Sequence, residues 1–284
     1  MKKLSLILLI TSALILTACG GSSKDNTPAD PPKNQPNTQN NAGNANNNTN
    51  SNTGNTDNHA GNSNTANTNN NSNSNNKPAG AYQGTALVTA TDVSTGDFKP
   101  QAVGSDNLSV LNTDGKLVIL AVSGFSSGGF TSLTGGPING KSYKHFIVSG
   151  TNFANSKFGY VTEGDKDYIF SHGSLTNNMP SSGIVEYTGG AIVGKNGTVG
   201  ITDASFQVNF DRKTLLGNIK PESNGIAFTP FHIDASINGN SFSTADNATV
   251  QSSGHFYGDN AQELGGVFQD KSQQLVGSFG AKKN

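Results

Sequence analysis

Tryptophan is absent from this 284-residue chain, cysteine occurs once, and Arg212 is the only arginine beside seventeen lysines. A single cysteine excludes an internal disulfide framework and any cysteine-rich metal site. One arginine and a formal net charge of −1 leave no basic field for a phosphate backbone, so nucleic-acid binding is excluded as a main role. Charged residues make up only 13% of the chain, about half the usual share. Also missing are a G-x-S-x-G elbow, H-E-x-x-H, a P-loop and a dinucleotide-binding glycine fingerprint. Gly124-Phe-Ser-Ser-Gly128 lacks the elbow's spacing, and no other constellation points to catalysis, so the chain reads as a non-enzyme.

What is present divides into three unlike segments. Residues 1–18 carry Lys2 and Lys3 before the mostly apolar stretch Leu4–Leu16, the pattern of a secretory signal peptide. The stretch is too short for a spanning helix and runs into polar sequence. Leu16-Thr17-Ala18-Cys19 looks like a bacterial lipobox, with the only cysteine at the cleavage point. Its thiol would accept a diacylglycerol and the freed amine a further acyl chain, and two or more chains give stable anchoring. Gly20 follows, with no aspartate to hold the protein at an inner membrane.

Residues 19–79 follow as the lipidated Cys19 and a linker. From 20 to 79 there is no Val, Ile, Leu, Met, Phe, Trp or Tyr, and 22 of the 60 residues are Asn. Nothing there can be buried to offset ordering entropy, so the sequence predicts a disordered tether. As a flexible coil it would reach about 45 Å. Such a leash suits a module displayed toward a large or distant partner.

Residues 80–284 hold every Phe and Tyr, with short alternating apolar runs between turn signals. Ala86–Ala90, Lys116–Val122, His145–Ser149, Tyr168–Ser171, Ile184–Thr188, Ser205–Phe210, Ile226–Phe228, His232–Ile237, Ser253–Tyr257, Gly265–Gln269 and Gln274–Phe279 read as strands. Thr113-Asp114-Gly115, Asp211-Arg212-Lys213 and Asn238-Gly239-Asn240 read as tight connections. Gly124–Gly140 reads as a long Gly/Ser loop, Gly135-Gly136 and Gly189-Gly190 as strand-end turns, and Asp259–Leu264 as the best helical turn. The expected fold is all-β. A β-rich handle domain, 80–179, precedes an eight-stranded up-and-down barrel, 180–284, divided near Met179-Pro180.

Glu163, Asp165 and Asp167 crowd one segment and read as a solvated hairpin tip, with weak cation binding as the alternative. His145 and His172 each lie beside aromatic residues in the handle region, a combination that haem ligation requires. They are the haem-ligand candidates, against the plainer reading of surface or strand-end histidines. His232 and His255 fall in barrel strands, where a solvent-facing or hydrogen-bonded role is expected.

Several barrel segments carry a family resemblance. These are Met179-Pro180-Ser-Ser-Gly183-Ile-Val-Glu-Tyr187-Thr-Gly189, Phe206-Gln-Val208-Asn-Phe210 with Lys213-Thr214 and Gly217-Asn-Ile219, and Phe279-Gly280-Ala281-Lys282. The most specific is Gly254-His-Phe256-Tyr257-Gly258-Asp-Asn-Ala261-Gln-Glu263-Leu264-Gly265-Gly266-Val-Phe268. Together they resemble the barrel of transferrin-binding protein B-like, Slam-dependent surface lipoproteins, a group that includes haemophilin-like and factor H-binding-like proteins.

The resemblance implies an outer-membrane, lipid-anchored, cell-surface protein that binds a host ligand. The leading expectation is haem or an iron- or haem-carrying serum protein, delivered to an outer-membrane receptor. Haem would then be a ligand, and no cofactor is required. A Slam-type translocator is an implied export partner. The alternatives are immune evasion by recruiting a complement regulator such as factor H, and an adhesive or structural role. The motif residues themselves are implied to be scaffold, with Phe256 and Phe268 filling the barrel.

Overall fold

The computed structural model describes residues 80–91, 96–133, 137–138, 140–223 and 225–284. The signal segment, Cys19 and the Asn-rich tether lie outside the described residues, as does the Gly135-Gly136 pair.

The first half contributes β1 (Tyr82–Ala90), β2 (Gln101–Ser105), β3 (Val110–Thr113), β4 (Lys116–Ile119), β5 (Phe130–Leu133), β6 (Pro137–Ile138), β7 (Lys141–Ser149), β8 (Ser156–Glu163) and β9 (Lys166–Gly173). They form one antiparallel sheet in the order β4-β3-β2-β1-β9-β8-β7-β5, with β6 paired to β7 off that path. The predicted Thr113-Asp114-Gly115 turn joins β3 to β4, with Asp114 and Gly115 both at positive φ as a tight hairpin needs. The segment Gly124–Gly140 is not the continuous loop its composition suggests, since β5 and β6 lie within it. The segment after β4 and the edge strand β5 line one groove together, so the sheet curls until its two edges approach.

The second half contributes β10 (Ile184–Lys195), β11 (Thr198–Asn209), β12 (Thr214–Ile219), β13 (Phe231–Asn238), β14 (Ser241–Ser243), β15 (Val250–Tyr257), β16 (Glu263–Asp270) and β17 (Leu275–Lys283). Each pairs with the next, and β17 returns to β10, closing an eight-stranded antiparallel barrel. Strand β13 shows how the sequence specifies this wall. Phe231, Ile233, Ala235 and Ile237 point inward and are buried, whereas His232, Asp234, Ser236 and Asn238 are exposed. The interior is packed with rings. Phe206 stacks on Phe279 at 4.9 Å, and Phe256 and Phe268 have no exposed surface. A barrel of this strand number is filled by its own side chains.

Three local expectations fail for identifiable reasons. Ile226–Phe228 is not a strand, because the chain between β12 and β13 makes no ladder there. Gly189 and Gly190 lie inside β10, not at its end. A Cβ on Gly189 would run into the Gly280 carbonyl oxygen of β17, and one on Gly190 would meet the Phe130 ring. Asp259–Leu264 is no helical turn. Asn260 and Ala261 adopt left-handed φ values of 53° and 55°, and Glu263 and Leu264 already belong to β16.

Handle and barrel share an apolar joint. Leu87, Ile147, Phe158, Tyr160 and Ile169 of the handle pack with Ile192, Val267 and Val276 of the barrel. The opposite face of the same handle strands forms a separate core around Phe146, Val161 and Phe170. The central handle strands are therefore buried on both faces, each large apolar side chain contributing roughly 1.5–3 kcal/mol.

Candidate functional site

Polar groups bind the joint at fixed points. Glu263 at the start of β16 is 4% exposed. Its Oε1 accepts from the backbone amides of Ala154 and Asn155 at 2.8 and 3.1 Å and from Asn155 Nδ2 at 3.2 Å. Its Oε2 accepts from Ser156 Oγ at 2.6 Å. The buried Tyr257 hydroxyl lies 3.0 Å from Ser171 Oγ, and burial pushes its ionisation well above the usual tyrosine range. Thr176 Oγ1 donates to the Gly258 carbonyl at 2.7 Å, and Ser278 Oγ to the Gly159 carbonyl at 3.0 Å. These residues hold handle and barrel together.

The five histidines have separate fates. His59 lies outside the described residues. His172 on β9 is fully buried on the inner face of the handle sheet, edge-on to Phe170. Its Nδ1 is 3.2 Å from Ser105 Oγ. That hydroxyl already donates to the Asn107 carbonyl at 2.7 Å, so Nδ1 carries the proton and Nε2 is left as a buried lone pair without a partner. Burial, with the nearby Lys157 charge, depresses its pKa to about 3.

His145 on β7 turns to the other face of that sheet. There it meets the Tyr160 ring and places Nε2 3.1 Å from the Gly197 carbonyl of the β10–β11 hairpin. The two haem-ligand candidates are therefore not brought together. His172 exposes no atom, and Nε2 of His145 is taken by a carbonyl. His255 on β15 sits 3.3 Å from Thr85 Oγ1 in the joint, with burial lowering its pKa to about 4. His232 is exposed on the barrel wall.

The acidic segment is a hairpin tip only at Asp165, which is exposed in the turn between β8 and β9; the other two carboxylates are engaged. Asp167 is buried and accepts from Tyr160 Oη at 2.7 Å and Thr162 Oγ1 at 2.6 Å. Glu163 pairs with Lys116 at 3.1 Å and Lys141 at 3.0 Å, and these cations hold its carboxyl below the usual range despite burial. Among the described residues no group of three or more His, Cys, Asp or Glu is placed to hold a metal.

One open groove, of about 240 Å³, lies elsewhere, at one mouth of the curled handle sheet, and is lined among others by Leu108, Leu120, Val122, Thr131 and Thr151. Phe125 stands at its lip, 55% exposed, the only aromatic side chain among the described large exposed apolar residues. The loop after Gly124 is tied down by its backbone. Thr151 N donates to Ser127 O at 2.8 Å and Asn152 N to Gly128 O at 2.9 Å. Gly150 is required there, since a Cβ would run into the Ser127 carbonyl.

Lys157 on β8 enters this groove from below. Its Nζ donates to the carbonyls of Ser149 at 2.7 Å and Gly150 at 2.8 Å. Burial pulls its pKa below the usual lysine value, partly opposed by the more distant Glu263. The sequence marked the Gly/Ser loop but not Lys157, because a lone lysine in a strand carries no signal until the fold buries it.

With fold and groove described, likeness to known proteins gives them a context. Residues 179–283 match the family model for the C-lobe and N-lobe β-barrels of Tf-binding protein B. An uncharacterized protein of Haemophilus influenzae is 30% identical over 220 residues, covering 70% of this chain and 74% of that relative. Transferrin-binding protein B of Moraxella catarrhalis is 38% identical over 226 residues, covering 66% of this chain and 31% of that protein. The crystal structure of isotype 1 transferrin-binding protein B from serogroup B Neisseria meningitidis shares the fold. It is 22% identical with a TM-score of 0.50, covering 72% of this chain and 44% of that one. A single handle-plus-barrel body thus spans less than half of either transferrin-binding protein. Through its barrel, residues 179–283, the chain belongs to the transferrin-binding protein B-like family.

Proposed function

We propose that this chain is a non-enzymatic, lipid-anchored protein of the bacterial surface that captures a host iron- or haem-carrying protein through the handle loops around Phe125. One observation carries the reading. An aromatic side chain is held exposed at the lip of a polar-floored groove, on loops whose backbone is fixed from below. Exposed aromatics in rigid surroundings are the usual anchors of protein interfaces. The relatives support the class of partner, since one is named for binding transferrin. The lipobox at Cys19 and the Asn-rich tether support display at a distance from a membrane. Iron or haem would arrive on the captured protein, which is consistent with the covered positions of His145 and His172.

The test measures binding of purified transferrin, lactoferrin, haemoglobin and factor H to the full chain. Capture of one iron or haem carrier, weakened at least tenfold by Phe125→Ala, supports the proposal. Binding of factor H alone moves the chain to complement recruitment. Binding of a carrier that is indifferent to Phe125→Ala moves the site off this groove.

A further inference from the structure

We propose that the groove at the handle mouth receives an acidic side chain of the partner protein, with the Lys157 ammonium as its counter-charge. This deepens the reading of the same site given above and rests on it.

The argument begins with donors. A lysine ammonium has three, and two are spent on the carbonyls of Ser149 and Gly150. Both acceptors are neutral, so the buried charge is solvated but not neutralised. Among the described residues no carboxylate lies within 4 Å of Lys157, and no ion pair includes it. Glu263 acts on it only at longer range, with both of its oxygens occupied across the joint. No acidic residue lines the groove. A part-buried cation fixed by carbonyls at the floor of an open groove, with one donor unspent, is complementary to an anion.

The walls select the kind of anion. Ser126 and Ser127 offer hydroxyl groups along the groove, while Leu120 deep in it and Val122 and Phe125 nearer its opening offer apolar surface. A charged end on a methylene stem meets both kinds of surface, as in glutamate. A volume of about 240 Å³ lies below the roughly 300–1,000 Å³ of small-molecule pockets. It suits one side chain with its adjoining backbone, entering as part of a larger surface that Phe125 also touches. The Lys157 pair would then be shielded from solvent when the partner docks, where a charged hydrogen bond counts for more than at the rim.

The test uses the full chain in detergent, with lysine labelled at Cε, and N-acetylglutamate N-methylamide as the probe. Its neutral isostere N-acetylglutamine N-methylamide is the control, and 3′-sialyllactose represents a carboxylate carried on a glycan. The expected result is a saturable shift of the Lys157 resonance by the glutamate probe at millimolar concentration. The glutamine probe should bind about tenfold or more weakly. Bound glutamate probe should also raise the titration midpoint of Lys157, which a purely structural lysine would not show. Lys157→Arg should keep probe binding and Lys157→Gln should remove it.

Equal binding of the two amino-acid probes, or an unmoved Lys157 midpoint in the unmutated chain, overturns the proposal whether or not Lys157→Gln folds. A response to sialyllactose alone overturns it in favour of a glycan. If a host carrier binds as before to a folded Lys157→Gln chain, the acidic anchor is wrong while the capture reading stands. If no carrier binds the unmutated chain but the glutamate probe does, the reverse holds.

Discussion

Glu263 of the barrel and Ser156 of the handle meet at 2.6 Å between carboxylate and hydroxyl, both almost without exposed surface. The same carboxylate accepts the amides of Ala154 and Asn155. One acidic residue thus satisfies the turn that leads into β8, and that turn sits where handle and barrel join. Glu263→Ala removes the acceptor and leaves the buried Ser156 hydroxyl and the part-buried amides of Ala154 and Asn155 unpaired. We expect a loss of about 3 kcal/mol or more in urea unfolding. Glu263→Gln should cost less, since one oxygen remains. Equal stability of Glu263→Ala and the unmutated chain would show that the joint does not depend on this residue.

Stability should fall as the solution is acidified below neutrality. His172 and His255 have pKa values of about 3 and about 4 in the folded chain, against an ordinary value near 6.5. Between these limits the unfolded chain binds more protons, so unfolding is favoured as pH falls from about 6.5. Each histidine should cost on the order of 2–3 kcal/mol by pH 4.5, where both remain mostly neutral in the native state. Urea midpoints at pH 7.0, 6.0 and 4.5 measure the slope. His172→Gln should flatten it, and a pH-independent midpoint across that range would contradict the buried neutral imidazoles.

The barrel seam tolerates no side chain at Gly189. A Cβ there is aimed at the backbone of Gly280 on the closing strand, and backbone cannot swing aside. Gly189→Ala should destabilise the barrel by roughly 1–3 kcal/mol or prevent closure. Gly239→Ala meets no atom, and its cost should come from the φ of +58° alone. Thermal unfolding of both variants provides the comparison. Phe256→Ala and Phe268→Ala, each emptying a fully buried ring site, should cost about 3–5 kcal/mol.

Membrane attachment should depend on the only thiol. Cys19→Ala should move the protein from the membrane fraction to the soluble fraction and abolish incorporation of labelled palmitate. Label retained in that variant would place acylation elsewhere or refute it.

The sequence reveals a strand best where only one of its faces is buried. In β13 inward Phe231, Ile233, Ala235 and Ile237 alternate with polar residues, and the strand reads directly from that alternation. Strand β8 has the handle core on one face and the barrel on the other, so Phe158, Tyr160 and Val161 sit among small residues with no usable period. That strand is not evident before folding, and it carries Lys157. The turn at Asp259–Leu264 misleads because its left-handed residues are Asn260 and Ala261, and alanine is no ordinary marker of positive φ. Tyr257 and Glu263 stand within a family motif, but their partners Ser171 and Ser156 are about ninety to a hundred residues away in the chain. No local pattern could pair them.

Closure of the barrel has a consequence for how the chain matures. Most of its strands pair with the neighbour just made, but β10 must also wait for β17, nearly a hundred residues later. By the slow logarithmic growth of loop entropy the thermodynamic penalty is modest, but the kinetic order is strict. Until β17 arrives, β10 keeps an unpaired edge, and the inward rings of Phe206, Phe242 and Phe268 lack the Phe279 that completes their packing. A chain made from its N-terminus therefore keeps its barrel open until β17 emerges.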